Sequence, residues 1–365
     1  QKESLGGLYH DQSLFFDDGR AYLVYGVGDI RILELTADAR AVRRVGVDRG
    51  LLHDAGRPAG DDLGLPGEGS QLFKVDGRYY LFLIVWPRGG MRTVVVQRAE
   101  SLDGPWEGRV VLQDAGIAQG GIVDTPEGDW YALLFGDRGA VGRIPYLVPM
   151  TWQDGWPVLG VDGKVPETLD VPTGKQGISG VSGIVASDEF ERAPDEPDLP
   201  LAWQWNHNPD DAHRALLRNP GCLRITTGRV DDELVAARNT LTQRTFGPTS
   251  SATTAIDVSG MKNGDYAGLT VLASKYGFVG ARMEGGEKRI VMVRVQADSL
   301  VEVEGPRLDG DRAFLRIDAD FEDRADSAFF YYSLDGDAWT RIGEPLRMVY
   351  TLEHFMGYRF GLFNF

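Results

Sequence analysis

The chain has 365 residues, 42% hydrophobic and 25% charged, the balance of a folded globular protein with room for two domains or one large all-β domain. Its 54 acidic and 38 basic residues leave a net charge of −16, which repels nucleic-acid phosphates and anionic lipid and suits a neutral ligand such as a sugar. No apolar run approaches the roughly 18 residues of a membrane-spanning helix, and the single Cys222 excludes an internal disulfide and a cysteine zinc site.

In chain order, the first elements are a hairpin: Ser13 to Phe16, a turn at Asp17-Asp18-Gly19, then Ala21 to Tyr25. The same pattern returns at Gln71 to Lys74 and Arg78 to Ile84 around Asp76-Gly77, and at Gly121 to Asp124 and Trp130 to Phe135 around Pro126-Glu127-Gly128. Glycine at such turns supplies the positive φ that tight hairpins require. The three turn glycines stand at 19, 77 and 128, a recurrence near the roughly 50-residue spacing of propeller blades. Helical periodicity is nearly absent, so a doubly wound α/β sheet is set aside.

A Gly/Ser-rich stretch over 171–184 reads as a linker between a propeller over 1–170 and a second domain over 185–365. There, short strands follow at Cys222 to Thr226, Thr253 to Val258, Gly268 to Ala273, Ile290 to Val295 and Ala328 to Tyr332, the spacing of a jelly-roll β-sandwich. The expected fold class is therefore all-β, a β-propeller followed by a sandwich. Three blades fall short of the roughly four or more that close a ring, and Tyr358 to Phe365 reads as a strand cut short. The expectation is a chain lacking first-blade sequence and a last strand, and its opening residue, Gln1, leaves the compartment undefined.

Two carboxylates stand out. Glu68 lies between Gly67 and Gly69 directly before an expected strand, where close backbone approach aims its side chain into a cavity. A glutamate held near a second carboxylate keeps its proton to higher pH and can protonate a leaving oxygen; a solvated turn glutamate is the plainer alternative. Asp11 occupies the matching position before the first strand of the preceding hairpin, and equivalent positions of successive blades converge on the propeller axis. Arg143 could hold sugar hydroxyls or orient a carboxylate, and Trp86 and Trp130 could stack on sugar rings or belong to the core. His10, His53, His207, His213 and His354 show no metal-ligand spacing and read as structural or surface residues. Serine-hydrolase, P-loop and dinucleotide fingerprints are absent.

Four stretches carry a resemblance: His10 to Gly26 (HDQSLFFDDGRAYLVYG), Glu68 to Leu81 (EGSQLFKVDGRYYL), Gln119 to Tyr131 (QGGIVDTPEGDWY) and Gly142 to Pro157 (GRIPYLVPMTWQDGWP). In this order they are similar to glycoside hydrolase family 43, and Asp188-Glu189-Phe190 with Trp203-Gln204-Trp205 is similar to the start of the β-xylosidase-type C-terminal sandwich. The resemblance implies a five-bladed propeller and hydrolysis with inversion. Glu68 would be the general acid, Asp11 the aspartate that orients it and tunes its pKa, and Arg143 an active-site arginine; the general base would lie before Gln1. It further implies an exo-acting enzyme releasing xylose from β-xylosides, with α-L-arabinofuranosidase activity or non-catalytic carbohydrate binding as the alternatives. No cofactor is implied. Where many relatives carry a histidine associated with a central cation this chain has Ala118, so no such metal carries over, and a structural calcium in the sandwich would involve Asp188.

Overall fold

The computed structural model describes residues 9–171, 185–193, 195–196, 199–218, 221–296, 299–351 and 356–365. The expected linker, apart from Val171, and His354 lie outside them. Contacts divide the chain into two compact units, one of Gln1–Asp137 with Ile144–Pro172, the other of Arg138–Arg143 with Thr173–Phe365.

The first unit holds three four-stranded antiparallel sheets, each running across in chain order. The first comprises β1 (Ser13–Asp17), β2 (Arg20–Val27), β3 (Asp29–Leu35) and β4 (Asp48–Leu52). The second comprises β5 (Leu63–Val75), β6 (Arg78–Pro87), β7 (Thr93–Ala99) and β8 (Glu107–Leu112), and the third β9 (Ala118–Asp124), β10 (Trp130–Asp137), β11 (Arg143–Gln153) and β12 (Trp156–Leu159). These are propeller blades. Asp17 pairs with Arg20 and Val75 with Arg78, which leaves Asp18-Gly19 and Asp76-Gly77 as two-residue turns. All four residues have φ between +47° and +80°, the type I′ geometry that matches strand twist. The third hairpin is different. Proline cannot take positive φ, so the chain closes between Asp124 and Trp130 through a longer loop in which the Gly128 N–H donates to the Thr125 carbonyl.

Strand β6 shows how the blades stack. Side chains on a strand alternate between its faces, yet β6 is buried almost throughout. Tyr79, Leu81 and Leu83 enter the core shared with the first blade beside Ile30, Ile32 and Leu72. Tyr80, Phe82 and Ile84 enter the core shared with the third blade beside Ile122, Leu134 and Val148. A strand covered on both faces reads as one apolar run, and each large side chain so buried contributes roughly 1.5–3 kcal/mol of transfer free energy.

In the second unit the strands are β13 (Gln204–Trp205), β14 (Arg214–Arg218), β15 (Gly221–Ile225), β16 (Leu241–Arg244), β17 (Thr249–Asp257), β18 (Tyr266–Leu272) and β19 (Gly277–Glu284). They continue with β20 (Glu287–Gln296), β21 (Ser299–Arg307), β22 (Arg312–Asp320), β23 (Ser327–Ser333), β24 (Thr340–Arg341), β25 (Leu346–Arg347) and β26 (Arg359–Asn364). A seven-stranded sheet ordered β13-β16-β26-β18-β19-β20-β21 faces a five-stranded one built on β17-β22-β23-β24 with β25 beside β23. Leu269, Val279 and Met292 from the first meet Leu315, Ile317 and Phe330 from the second in one core, so the fold is a β-sandwich. In the closing segment, β26 is bonded to β16 on one side and β18 on the other. Among the described residues, no helix is long and apolar enough to cross a membrane.

Candidate active site

Strand β5 slips register three times against β6, between Leu63 and Leu65, Leu65 and Glu68, and Glu68 and Gln71. Glu68 therefore sits within a bulged strand rather than ahead of one, which corrects the sequence expectation. The cause is local: Gly67 and Gly69 adopt φ of +118° and +66°, and bulges built on such residues re-aim a side chain. The Gly67 carbonyl accepts from the Gly28 N–H of the first blade at 2.7 Å, so the bulge is held from outside its own sheet.

Asp11 lies just before β1, in a left-handed conformation at φ +46° that carries backbone strain for a non-glycine residue. Its Oδ2 accepts from the Gln119 Nε2 at 3.1 Å. Gln119, on β9, is also left-handed at φ +51°, and its side chain lies against Gly69, where an added Cβ would fall 2.5 Å from the Gln119 Nε2. His10 completes the group: its Nε2 is 2.9 Å from Glu68 Oε2 and 3.9 Å from Asp11 Oδ1. The side chains of Glu68, Asp11 and His10 are 22%, 33% and 47% exposed, so the cluster is half-buried and open to solvent. Three blades thus deliver four polar side chains to one place, since β1 packs beside β5 and β5 beside β9.

Glu68 and Asp11 are brought together as the blade argument expected. His10, read from sequence as a structural or surface residue, is exposed, and its imidazole lies against Glu68. Gln119 was not singled out at all. Trp86, at the end of β6, lies beyond Ile84, the ladder partner of Glu68. The residue is 44% exposed, its Nε1 donates to the Gly90 carbonyl at 3.0 Å, and the Arg92 guanidinium stands 5.2 Å from the ring centre. Trp130 instead packs edge-on against Trp152, at the margin of the core between the second and third blades. Arg143 is grouped with the second unit, where its Nε donates to the Tyr350 hydroxyl at 3.2 Å.

The calcium suggestion at Asp188 does not fit. Its Oδ1 accepts from the Phe190 N–H and from Arg192, and its Oδ2 from Arg192 and from the Trp203 Nε1. A calcium ion would have to displace these donors and sit against a guanidinium. Burial opposes ionisation of Asp188, yet the Arg192, Phe190 and Trp203 bonds outweigh it and hold the carboxyl below its usual range. Ala118 is fully buried and brings no side-chain ligand.

Comparison with known proteins gives two matches in sequence: residues 2–157 to "Glycosyl hydrolases family 43", and residues 187–365 to "Beta xylosidase C-terminal Concanavalin A-like domain". A β-xylosidase of Formosa agariphila is 29% identical over 82% of this chain, and the chain spans 57% of that relative's length. A bifunctional GH43-CE protein of Bacteroides eggerthii superposes with a TM-score of 0.91 at 54% identity, covering 98% of this chain and 46% of its own. A GH43 glycoside hydrolase engineered to display both endo-xylanase and exo-arabinofuranosidase activity superposes at 0.82 with 33% identity, over 98% of this chain and 71% of its own. With both halves matched in order and the fold shared throughout, the chain belongs to glycoside hydrolase family 43.

Proposed function

We propose that this chain carries the acid half of an exo-acting, inverting glycoside hydrolase that releases xylose from β-xylosides and xylo-oligosaccharides. The observation that supports this most is the meeting of Glu68 and Asp11 from adjacent blades in a solvent-open cluster. In this reading Glu68 gives its proton to the departing glycosidic oxygen while a second carboxylate, roughly 6.5–9.5 Å away, draws a proton from the attacking water. Asp11, anchored by Gln119, fixes the orientation of Glu68. The exposed face of Trp86 offers a stacking surface for a sugar ring. No residue of the chain is assigned as the base, so the activity belongs to the protein in which that carboxylate is present. α-L-Arabinofuranosidase activity is the second reading, favoured by the similarity to an enzyme that displays it.

The test is hydrolysis of an aryl β-D-xyloside, an aryl α-L-arabinofuranoside and xylobiose, by the 365-residue chain and by the longest translated product that contains it. Glu68→Gln is expected to cost on the order of 10²–10⁴-fold in kcat on xylobiose. On aryl glycosides, whose phenolate leaves without help, the loss is expected to be much smaller. Equal losses on both substrates would remove Glu68 from the role of acid. Binding of xylobiose without turnover in either protein would favour a carbohydrate-binding protein.

A further inference from the structure

We infer that His10, Asp11 and Glu68 form a binding site for a borderline divalent transition metal, Zn²⁺ in the first instance. The chemistry of the donors points there: one imidazole nitrogen and two carboxylate oxygens, all mutually within 4.8 Å. Zinc bonds nitrogen and carboxylate oxygen at about 2.0–2.2 Å, so tetrahedral ligands stand about 3.3–3.5 Å from one another. The distances from His10 Nε2, 2.9 Å to Glu68 Oε2 and 3.9 Å to Asp11 Oδ1, straddle that value and need only small side-chain rotations to reach it.

Two further features suit a cation. Gln119 binds Oδ2 of Asp11, which leaves Oδ1 turned to His10; an outer hydrogen bond of this kind is how ligating carboxylates are oriented. The half-exposed imidazole leaves the fourth position to water, the arrangement of an open rather than a closed zinc site. Two carboxylates and a neutral imidazole balance the charge of a divalent ion. Calcium and magnesium are disfavoured, because they take six or more oxygens and three donors including a nitrogen do not provide them.

A zinc ion on Oε2 occupies the oxygen that the acid would present to the glycosidic bond, so occupancy switches the site off. Binding stands by itself; this regulatory consequence rests on the hydrolase reading above.

The experiment is calorimetric titration of ZnCl2 into the chelator-stripped chain, repeated with CaCl2 and with His10→Ala, His10→Gln and Gln119→Ala, each checked for folding by circular dichroism. One saturable zinc site per chain is expected, absent from both His10 variants, weakened on the order of 10–100-fold in Gln119→Ala, and not reproduced by calcium. Co²⁺ in place of zinc is expected to give the intense visible bands of a four-coordinate ion. No saturable zinc binding, or binding that survives in the His10 variants, overturns the site. If zinc binds as expected and the protein hydrolyses xylobiose, loss of activity with zinc that the His10 variants do not share supports the switch, and unimpaired turnover at saturating zinc overturns it. Absence of hydrolytic activity in the longest translated product that contains the chain leaves the binding result standing and counts against the hydrolase reading alone.

Discussion

At the scale of single residues, the site is an agreement between positions far apart in sequence. Glu68 and Asp11 could be found from local signals, since each precedes or enters a strand in a recurring hairpin pattern and Glu68 is flanked by glycines. His10 and Gln119 could not. The partner of His10 is 58 positions away and that of Gln119 is 108, so only the stacking of blades creates the contacts. Gln119 acts through Asp11 and touches no reacting atom on the proposed mechanism. Removing its hydrogen bond costs about 1 kcal/mol, about fivefold in rate. Gln119→Ala is expected to lower kcat by about that factor with KM little changed; the reverse pattern, KM raised and kcat kept, would show that Gln119 binds substrate directly.

Elements explain why glycine is unequally replaceable. The type I′ turns were legible because Asp-Gly between alternating apolar residues has few other uses. The bulges of β5 were not, because nothing in Leu-Pro-Gly-Glu-Gly distinguishes a loop that leads into a strand from a strand that slips register. Gly69 and Gly77 make the contrast measurable. Both have positive φ, so alanine at either carries a backbone cost of roughly 1–2 kcal/mol. At Gly77 the added methyl meets nothing within 4 Å, whereas at Gly69 it runs into the Gln119 side chain. Gly77→Ala is expected to lower the melting temperature and leave catalysis intact, and Gly69→Ala to impair both. Matching activities in the two variants would show that the Gly69 to Gln119 contact has no role in the site. The sandwich strand order was beyond local reading for a different reason: β26 comes last in the chain yet pairs between β16 and β18, and no local pattern announces such an insertion.

For the whole molecule, the two-part organisation could be read from the blade-like spacing followed by a change in strand pattern, and the acidity from composition. What composition does not reveal is how many acids are engaged. Burial opposes ionisation of Asp17, but Lys74 and Tyr79 outweigh it; burial opposes that of Glu34, but the Val47 N–H and Arg43 do so there. Asp335, bonded by the Ala338 and Asp337 N–H groups and by Ser333, is lowered to about 2. With Asp188 these are carboxyls whose folded pKa is depressed. Each therefore contributes stability in full above its unfolded value near 4, and loses it as pH falls through the folded value. Melting temperature is expected to hold level from about pH 7 to 5 and to drop steeply between about pH 4 and 2. Asp188→Asn should lower the plateau and make the drop shallower. A melting temperature that stays level down to the bottom of that range would remove these ion pairs from the account of stability.

Because neighbouring side chains of β6 face different cores, that strand is fastened from two sides at once. Separating the first blade from the second frees only its odd-numbered residues, and separating the second from the third frees only its even ones. Its amide hydrogens are held by the ladders to β5 and β7, which stay covered on one face until both seams part together. In deuterium exchange, β6 is thus expected to be the slowest-labelling segment of the first unit. The strand that faces Glu68 across the ladder would then keep its shape while the blade edges around it breathe.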